Sequence, residues 1–300
     1  MQNLNWQAYI NAIITMYKQL QALKIKNSKR LKFLINLFLF KKIPYIEFAI
    51  TSYCTLRCKD CANYIPDFSK DKQYFMSFEE FKLYLDNLLL NVKKLHKLVL
   101  LGGEPFLNKD LNKILNYALE HPKVRKVKLV TNGTLDIAED IILTLKKYTK
   151  PIQAFSKVRL FISDYSLNPE IAGRIKIDEL KQKLKSFGVP VSSVAQANWY
   201  IVSSISKHNR TQIQNRKYFL SCPFYCVSVF AHFLFICPRA GFFELHNIGA
   251  QKLGIEYLDV SRPITQADYL NFYSNLDFSA CDFCNMMADI KHPVLPALQK

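Results

Sequence analysis

The sequence predicts an α/β fold: a partial (β/α)6 TIM-like barrel followed by a small cysteine-rich α+β extension. Three observations predict it. Short apolar strand-like runs alternate with amphipathic helical runs from residue 43 to about residue 200, and strands regularly separated by helices imply a parallel sheet with right-handed crossovers. Five or six such units, with no repeat of fixed period, favour a full or partial barrel over a doubly wound sheet. Near Ser221 the rhythm stops, and the remainder of the chain carries five of the eight cysteines. Half of the 300 residues are apolar, which is enough for a sizeable core.

Residues 1–42 read as an N-terminal basic helical segment. Tyr9, Ile13, Met16, Leu20 and Leu23 recur at helical spacing, and the basic stretch KIKNSKRLKF follows. The favoured reading packs that stripe on the main domain; the alternative is a peripheral membrane helix. Residues 31–40 are the most apolar run, but they are about half the length needed to span a bilayer and are interrupted by Lys32 and Asn36.

The barrel is expected over residues 43–220. IPYIEFAIT reads as a strand. MSFEEFKLYLDNLLLNV reads as a helix capped by Ser77, with Glu80 three residues on in the capping-box arrangement. KLVLLGG is a strand, KDLNKILNYALEH a helix closed by Pro122, KVKLVTNG a strand, AEDIILTLKKY a helix and KVRLFISD a strand. IDELKQKLKSFG is a helix ending on Gly188, which suits the residue just past a helix end. VPVSSVAQANWYIV supplies another strand. Residues 221–300 form the extension.

Forty-one Lys and Arg against 24 Asp and Glu give a net charge of +17. A balance this basic suggests an anionic partner, or else lysines spread over solvated helix faces. No basic-aromatic stacking platform or nucleic-acid signature accompanies the charge, so nucleic acid is not favoured. The N-terminus lacks a secretory pattern, and a cytoplasmic location is expected. In that reducing compartment clustered cysteines more often bind metal or catalyse than form disulfides.

Cys54, Cys58 and Cys61 lie directly after the first strand, where parallel barrels place their chemistry. Their C-x3-C-x2-C spacing has no neighbouring fourth ligand. Structural zinc wants four closed ligands, and an iron–sulfur cubane is normally held by four thiolates. Three thiolates would leave one iron open to a non-protein ligand.

With those cysteines, three more segments bring the sequence to resemble the radical S-adenosylmethionine (SAM) enzymes. Gly102-Gly103-Glu104-Pro105 ends the second strand, Thr131-Asn132-Gly133 the third and Ser163-Asp164-Tyr165 the fourth. The resemblance implies a [4Fe–4S] cluster on Cys54, Cys58 and Cys61, whose open iron takes the amino and carboxylate groups of SAM. It implies SAM contacts from Gly102, Gly103, Glu104, Thr131, Asn132, Ser163 and Asp164, with Tyr165 a substrate candidate. It also implies an electron donor such as flavodoxin or ferredoxin. One departure is Asp60, where many members of the family place an aromatic residue.

In the extension, Cys226 and Cys237 flank VSVFAHFLFI, an alternating run that reads as a β-hairpin with His232 near its tip, and Cys281 and Cys284 form a C-x2-C pair. Four thiolates suit a second [4Fe–4S] cluster or zinc. The arrangement resembles the shortened auxiliary-cluster domain called Twitch rather than the seven-cysteine form called SPASM. Cys222 is the surplus thiol and competes with Cys226. Arg239 is expected to clamp a substrate phosphate or carboxylate or to assist deprotonation, against the alternative of a surface ion pair. The expected substrate is small and polar or anionic, of carbohydrate type (a sugar, nucleotide sugar or aminocyclitol), undergoing dehydrogenation or epimerisation. The alternatives are a peptide-modifying maturase and a non-catalytic zinc-stabilised nucleic-acid-binding protein.

Overall fold

The computed structural model describes residues 6–22, 29–195, 199–201, 205–222, 224, 226–249, 251–285 and 294–300. Its centre is one eight-stranded sheet. In chain order the strands are β1 (Ile46–Ala49), β2 (Leu98–Leu101), β3 (Val127–Thr131), β4 (Val158–Asp164), β5 (Val191–Ala195), β6 (Ser228–Phe230), β7 (Phe233–Phe235) and β8 (Tyr257–Asp259). Their spatial order is β8-β7-β6-β1-β2-β3-β4-β5. The strands from β1 to β5 pair in parallel and in sequence. That is the singly wound order of a barrel, with no reversal at which a doubly wound sheet would switch.

The sixth parallel strand comes from beyond residue 221. β6 pairs in parallel with β1, opposite Glu47, Phe48 and Ala49, before turning back antiparallel into β7. The hairpin expected between Cys226 and Cys237 is therefore present, and it continues the barrel sheet. Its tip has no glycine; Ala231 takes the left-handed conformation at φ 49° beside His232. The join of β6 to β1 is polar at one point. The buried Glu47 carboxylate accepts from Ser228 Oγ at 2.9 Å and from the Tyr45 hydroxyl. All four residues of β1 are buried, as expected for a strand covered on both faces.

The helices are α1 (Trp6–Ala22), α2 (Lys29–Phe40), α3 (Phe78–Leu89), α4 (Leu111–Glu120), α5 (Glu139–Tyr148), α6 (Ile177–Ser186), α7 (Gln212–Ser221), α8 (Pro238–Leu245) and α9 (Gln266–Ser274). α3 carries the Ser77–Glu80 capping box with both reciprocal bonds formed. Past the end of α6, Gly188 takes φ +74°, the left-handed turn that glycine adopts without strain. The N-terminal segment is two helices. Tyr9, Met16 and Leu20 of α1 are buried with Leu37 and Phe38 of α2, and the Tyr9 hydroxyl donates to Gln266 of α9. The apolar stripe thus packs on the domain; Leu23 lies outside the described residues. No helix is long and apolar enough to cross a membrane among the described residues.

Candidate active site

Every strand-end motif lies at the C-terminal edge of the parallel sheet. The loop after β1 brings Cys54, Cys58 and Cys61 into one small apolar cluster with Leu56, Ile171, Tyr165, Trp199 and Ala297. Burial pushes the Cys54 and Cys58 thiols up to about 12, and it raises Cys61 as well. The Arg174 charge offsets only part of this rise at Cys58, so a metal is the partner whose charge would hold these sulfurs as thiolates. Among the described residues no group of three or more His, Cys, Asp or Glu converges on a single-ion site. A four-iron cluster spreads its thiolates more widely than one ion does, and three free, clustered cysteines with donors to their sulfurs fit that group.

Those donors come from distant parts of the chain. Asn132 Nδ2 lies 3.5 Å from Cys54 Sγ, and Gln299 Nε2 lies 3.6 Å from Cys58 Sγ. The segment at residues 297–300 runs antiparallel against the cysteine loop through one isolated bridge, Cys58 to Gln299. Lys59 N donates to Leu298 O, Lys300 N donates to Arg57 O at 2.8 Å, and Arg57 N donates to the Gln299 side chain at 2.8 Å. Asn168, fully buried, anchors that segment by donating to the carbonyls of Pro296 and Ala297.

The Gly-Gly-Glu segment packs directly beneath the cysteine loop. Gly103 N donates to Thr51 O and Glu104 N to Tyr53 O, each at 2.8 Å. A Cβ on Gly102 would lie 2.3 Å from Thr51 O, and one on Gly103 would lie 1.9 Å from Tyr53 O. The close approach that demands glycine is thus to the loop's own backbone, an addition to the ligand approach that the motif suggests. Gly103→Ala is therefore expected to displace the cysteine loop. The readout is a lowered Tm together with loss of iron uptake, whereas Gly173→Ala, with no atom near its Cβ, serves as the tolerated control.

Glu104 is completely buried. Its carboxylate accepts from Thr131 Oγ1 and Asn132 N, both at 2.9 Å, and from Phe106 N at 3.2 Å. Burial raises its pKa to about 7 against the opposing pull of these bonds. A carboxylate offers about four acceptor positions, so three donors leave room for one more. Asn132 links this carboxylate to the cluster loop through a 3.0 Å bond to Thr55 Oγ1. Three of the four motifs therefore form one hydrogen-bonded unit.

The fourth motif divides. Tyr165 stands over the three cysteines, bonds to the Ser163 side chain and meets Trp199 edge-on at 5.4 Å. Asp164 does not join them. Side chains alternate along a strand, so Asp164 faces away from its neighbour; its carboxylate accepts from Ser166 N at 2.9 Å and lines a separate surface cavity with Lys176 and Asp178. It has the geometry of a turn residue.

Asp60 is buried in the left-handed conformation at φ 58°. Trp199, from beyond β5, donates its indole N–H to the Asp60 carbonyl at 3.0 Å. An aromatic ring from a remote segment thus lies against the third cysteine's preceding residue, a contact that no local pattern reveals.

A cavity of about 220 Å³ opens between this loop and the C-terminal cysteines. Asp60, Tyr64 and Trp199 line one side; Cys222, Cys226, Cys237, Cys284 and Arg239 line the other. Cys237 immediately precedes α8, and burial pushes its thiol up to about 11, with Cys284 and Cys222 the neighbouring thiols that add to the rise. Arg210 fixes the Cys281–Cys284 turn by donating to both cysteine carbonyls, at 2.8 and 2.9 Å. Arg239 is buried, donates to Phe283 O at 2.9 Å and lies 5.3 Å from the Tyr64 ring centre. It is a buried wall of this cavity and not a surface residue. Arg210 and Asn168 had no distinguishing signal in sequence, since each acts on backbone carbonyls far along the chain.

Residues 48–192 match the family model described as the Radical SAM superfamily. A GTP 3′,8-cyclase of Nautilia profundicola is 30% identical over 135 residues, covering 45% of this chain and 39% of that protein. A GTP 3′,8-cyclase of Clostridium botulinum is 32% identical over 108 residues, covering 36% of this chain and 32% of its own length. The chain thus spans about two fifths or less of these curated relatives. Among solved structures, Streptococcus suis SuiB bound to S-adenosylmethionine aligns with a TM-score of 0.40 at 18% identity, over 61% of this chain and 43% of that one.

Proposed function

We propose, from a chain whose residues 48–192 are a radical SAM domain, that the protein generates a 5′-deoxyadenosyl radical and uses it on a small polar substrate of carbohydrate type. The superfamily uses a [4Fe–4S] cluster and SAM, and Cys54, Cys58 and Cys61 are the residues that would hold the cluster. Bound there, the cluster would supply the electron that cleaves SAM. The chain's own residues do the rest. Glu104 offers its remaining acceptor position to the SAM ammonium, Asn132 orients the Cys54 sulfur, and Tyr165 with Trp199 screens the site from water. Reducing power would come from a donor of flavodoxin or ferredoxin type. Clustered cysteines acting as metal ligands suit a reducing, cytoplasmic setting.

The single observation that carries the substrate class is the pairing of Asp60 with Arg239 in the walls of the cavity that the C-terminal cysteines also line. Set among the aromatic rings of Tyr64, Trp199 and Tyr200, one carboxylate and one guanidinium suit a hydroxylated or phosphorylated ring placed beside a cluster on those cysteines. Abstraction of a carbon-bound hydrogen, followed by dehydrogenation or epimerisation, is the reaction class we assign. A second reading follows from the relatives named GTP 3′,8-cyclase, whose name points to a nucleotide. Deuterated sugars, aminocyclitols, nucleotide sugars and GTP would be incubated anaerobically with reconstituted enzyme. Deuterium in 5′-deoxyadenosine from a sugar-type compound supports the first reading, and label from GTP alone replaces it.

For the C-terminal cysteines we propose a second [4Fe–4S] site on Cys237, Cys281, Cys284 and a fourth thiol, with zinc as the alternative. Cys226 and Cys222 both line the cavity with Cys237, and we take Cys226 as that fourth ligand, with Cys222 its competitor. Cys226→Ala should lower bound iron from about eight to about four per chain, and Cys222→Ala should leave it nearly unchanged. The reverse pattern assigns Cys222, and zinc with no second iron set replaces the cluster.

A further inference from the structure

We propose that the opposite end of the barrel, where the parallel strands begin, is a docking surface for an anionic phospholipid bilayer. This stands independently of the chemistry assigned above. The sheet register sets cations in two rows there. Lys42 pairs with Lys94, and the bridge from Leu95 to Val124 brings Lys123 alongside. Leu98, Val127 and Val158 are register partners, so Lys97, Lys126 and Lys157, each one residue earlier, form the second row. Arg125, bonded to Leu95, Lys150, bonded to Ser156, and Lys128 and Arg159, which line a cavity with Ser156, add to the same end. None of these ten forms an ion pair with an acidic side chain among the described residues.

Several of the lysines instead brace loops that expose large apolar side chains. Lys123 Nζ donates to the carbonyl of Leu90, and Lys126 Nζ donates to that of Ala154. Leu90 is 58% exposed, Ile152 60% and Phe155 73%. Phe40, also exposed, lies 5.3 Å beneath the Lys42 ammonium. Along the second row opens a cavity of about 550 Å³ lined by Lys97, Lys126, Lys128, Lys157 and Arg159. Burial, then the charges of Lys97 and Arg159, disfavours the Lys128 ammonium against a smaller pull from Glu47, so an anion seated in this cavity relieves repulsion among these three cations lining it.

Charge alone would suit nucleic acid equally. The aliphatic tips decide between them, because Leu90 and Ile152 gain nothing from a phosphate backbone but bury favourably at the headgroup–acyl boundary. Apolar tips ringed by cations match the two attractions of an anionic leaflet. The stretch KPIQAFSK, residues 150–157, carries both within one loop.

The test is sedimentation of the full chain with vesicles of phosphatidylcholine alone or mixed with phosphatidylglycerol. Wild type should partition onto the mixed vesicles and not onto pure phosphatidylcholine. Ile152→Asp with Phe155→Asp should lower that partition about tenfold at unchanged Tm. Phe155→Trp should keep binding and gain a blue-shifted emission from the added indole on the mixed vesicles. Equal partition of wild type onto both vesicle types, full binding by the double variant, or no emission shift would overturn the proposal. Tight binding of a DNA or RNA duplex that ignores the double variant, without vesicle binding, would make this face a nucleic-acid surface instead.

Discussion

Cys58→Ala is expected to abolish 5′-deoxyadenosine formation while leaving the fold in place. The two halves of that expectation have separate causes. The backbone of Cys58 is held by its bridge to Gln299 and by the bonds of Lys59 and Lys300 across the same pair of segments, none of which needs the thiol. Removing one sulfur from the small cluster around Leu56, Ile171 and Ala297 costs about 1 kcal/mol or somewhat more. The loss to cofactor binding is far larger, because three thiolates are already one fewer than a cubane normally takes. Iron should fall from about eight to about four per chain, with SAM cleavage at background in an anaerobic single-turnover assay. A Tm close to wild type with cleavage gone supports the assignment; retained cleavage places the cluster elsewhere. Cys281→Ala should reduce substrate turnover more than SAM cleavage, since its turn lies on the far side of the cavity.

The parts of this molecule that were legible in sequence are those whose cause is local. Ser77 and Glu80 are three residues apart and cap a helix by direct reciprocal bonding. Gly188 is recognisable because the helix before it must end in a left-handed residue. The four strand-end motifs could be placed on one edge because parallel strands all point the same way. The parts that were not legible act across the chain. Gln299 reaches a cysteine sulfur 241 residues away, and Trp199 covers the Asp60 carbonyl from 139 residues away. Neither leaves a pattern that a window of sequence can hold. β6 illustrates a middle case: its alternation gave the hairpin, but its place beside β1 depends on Ser228 meeting a buried Glu47. Asp164 was within reach of a local argument, since the two-residue period of β4 already sets it opposite Ser163.

Glu104 should make both stability and SAM binding depend on pH, and Glu104→Gln should remove that dependence. In the folded protein its carboxyl is raised to about 7 by burial, from an ordinary value of 4.5. Between those values the folded state holds a proton that the unfolded state has released. The contribution of this residue to stability is therefore fully present below pH 4.5, declines as pH rises towards about 7, and is level above it. The full span is at most about 3 kcal/mol. Above the upper value the fold carries a buried carboxylate with one open acceptor position and, among the described residues, no cation acting on it. An ammonium placed there would recover part of that loss, so the Tm increase caused by SAM should be larger at about pH 7.5 than at about pH 5.5. In Glu104→Gln the amide must present N–H to the Asn132 or Phe106 N–H, which costs about 1–3 kcal/mol at every pH. Its SAM-dependent Tm shift should be small and flat across the same range. A shift that grows with pH in wild type and is flat in the variant identifies Glu104 as the ammonium acceptor. Equal, pH-independent shifts in both would confine Glu104 to tying β2 to β3, and the SAM amino group would then have to be held by other residues.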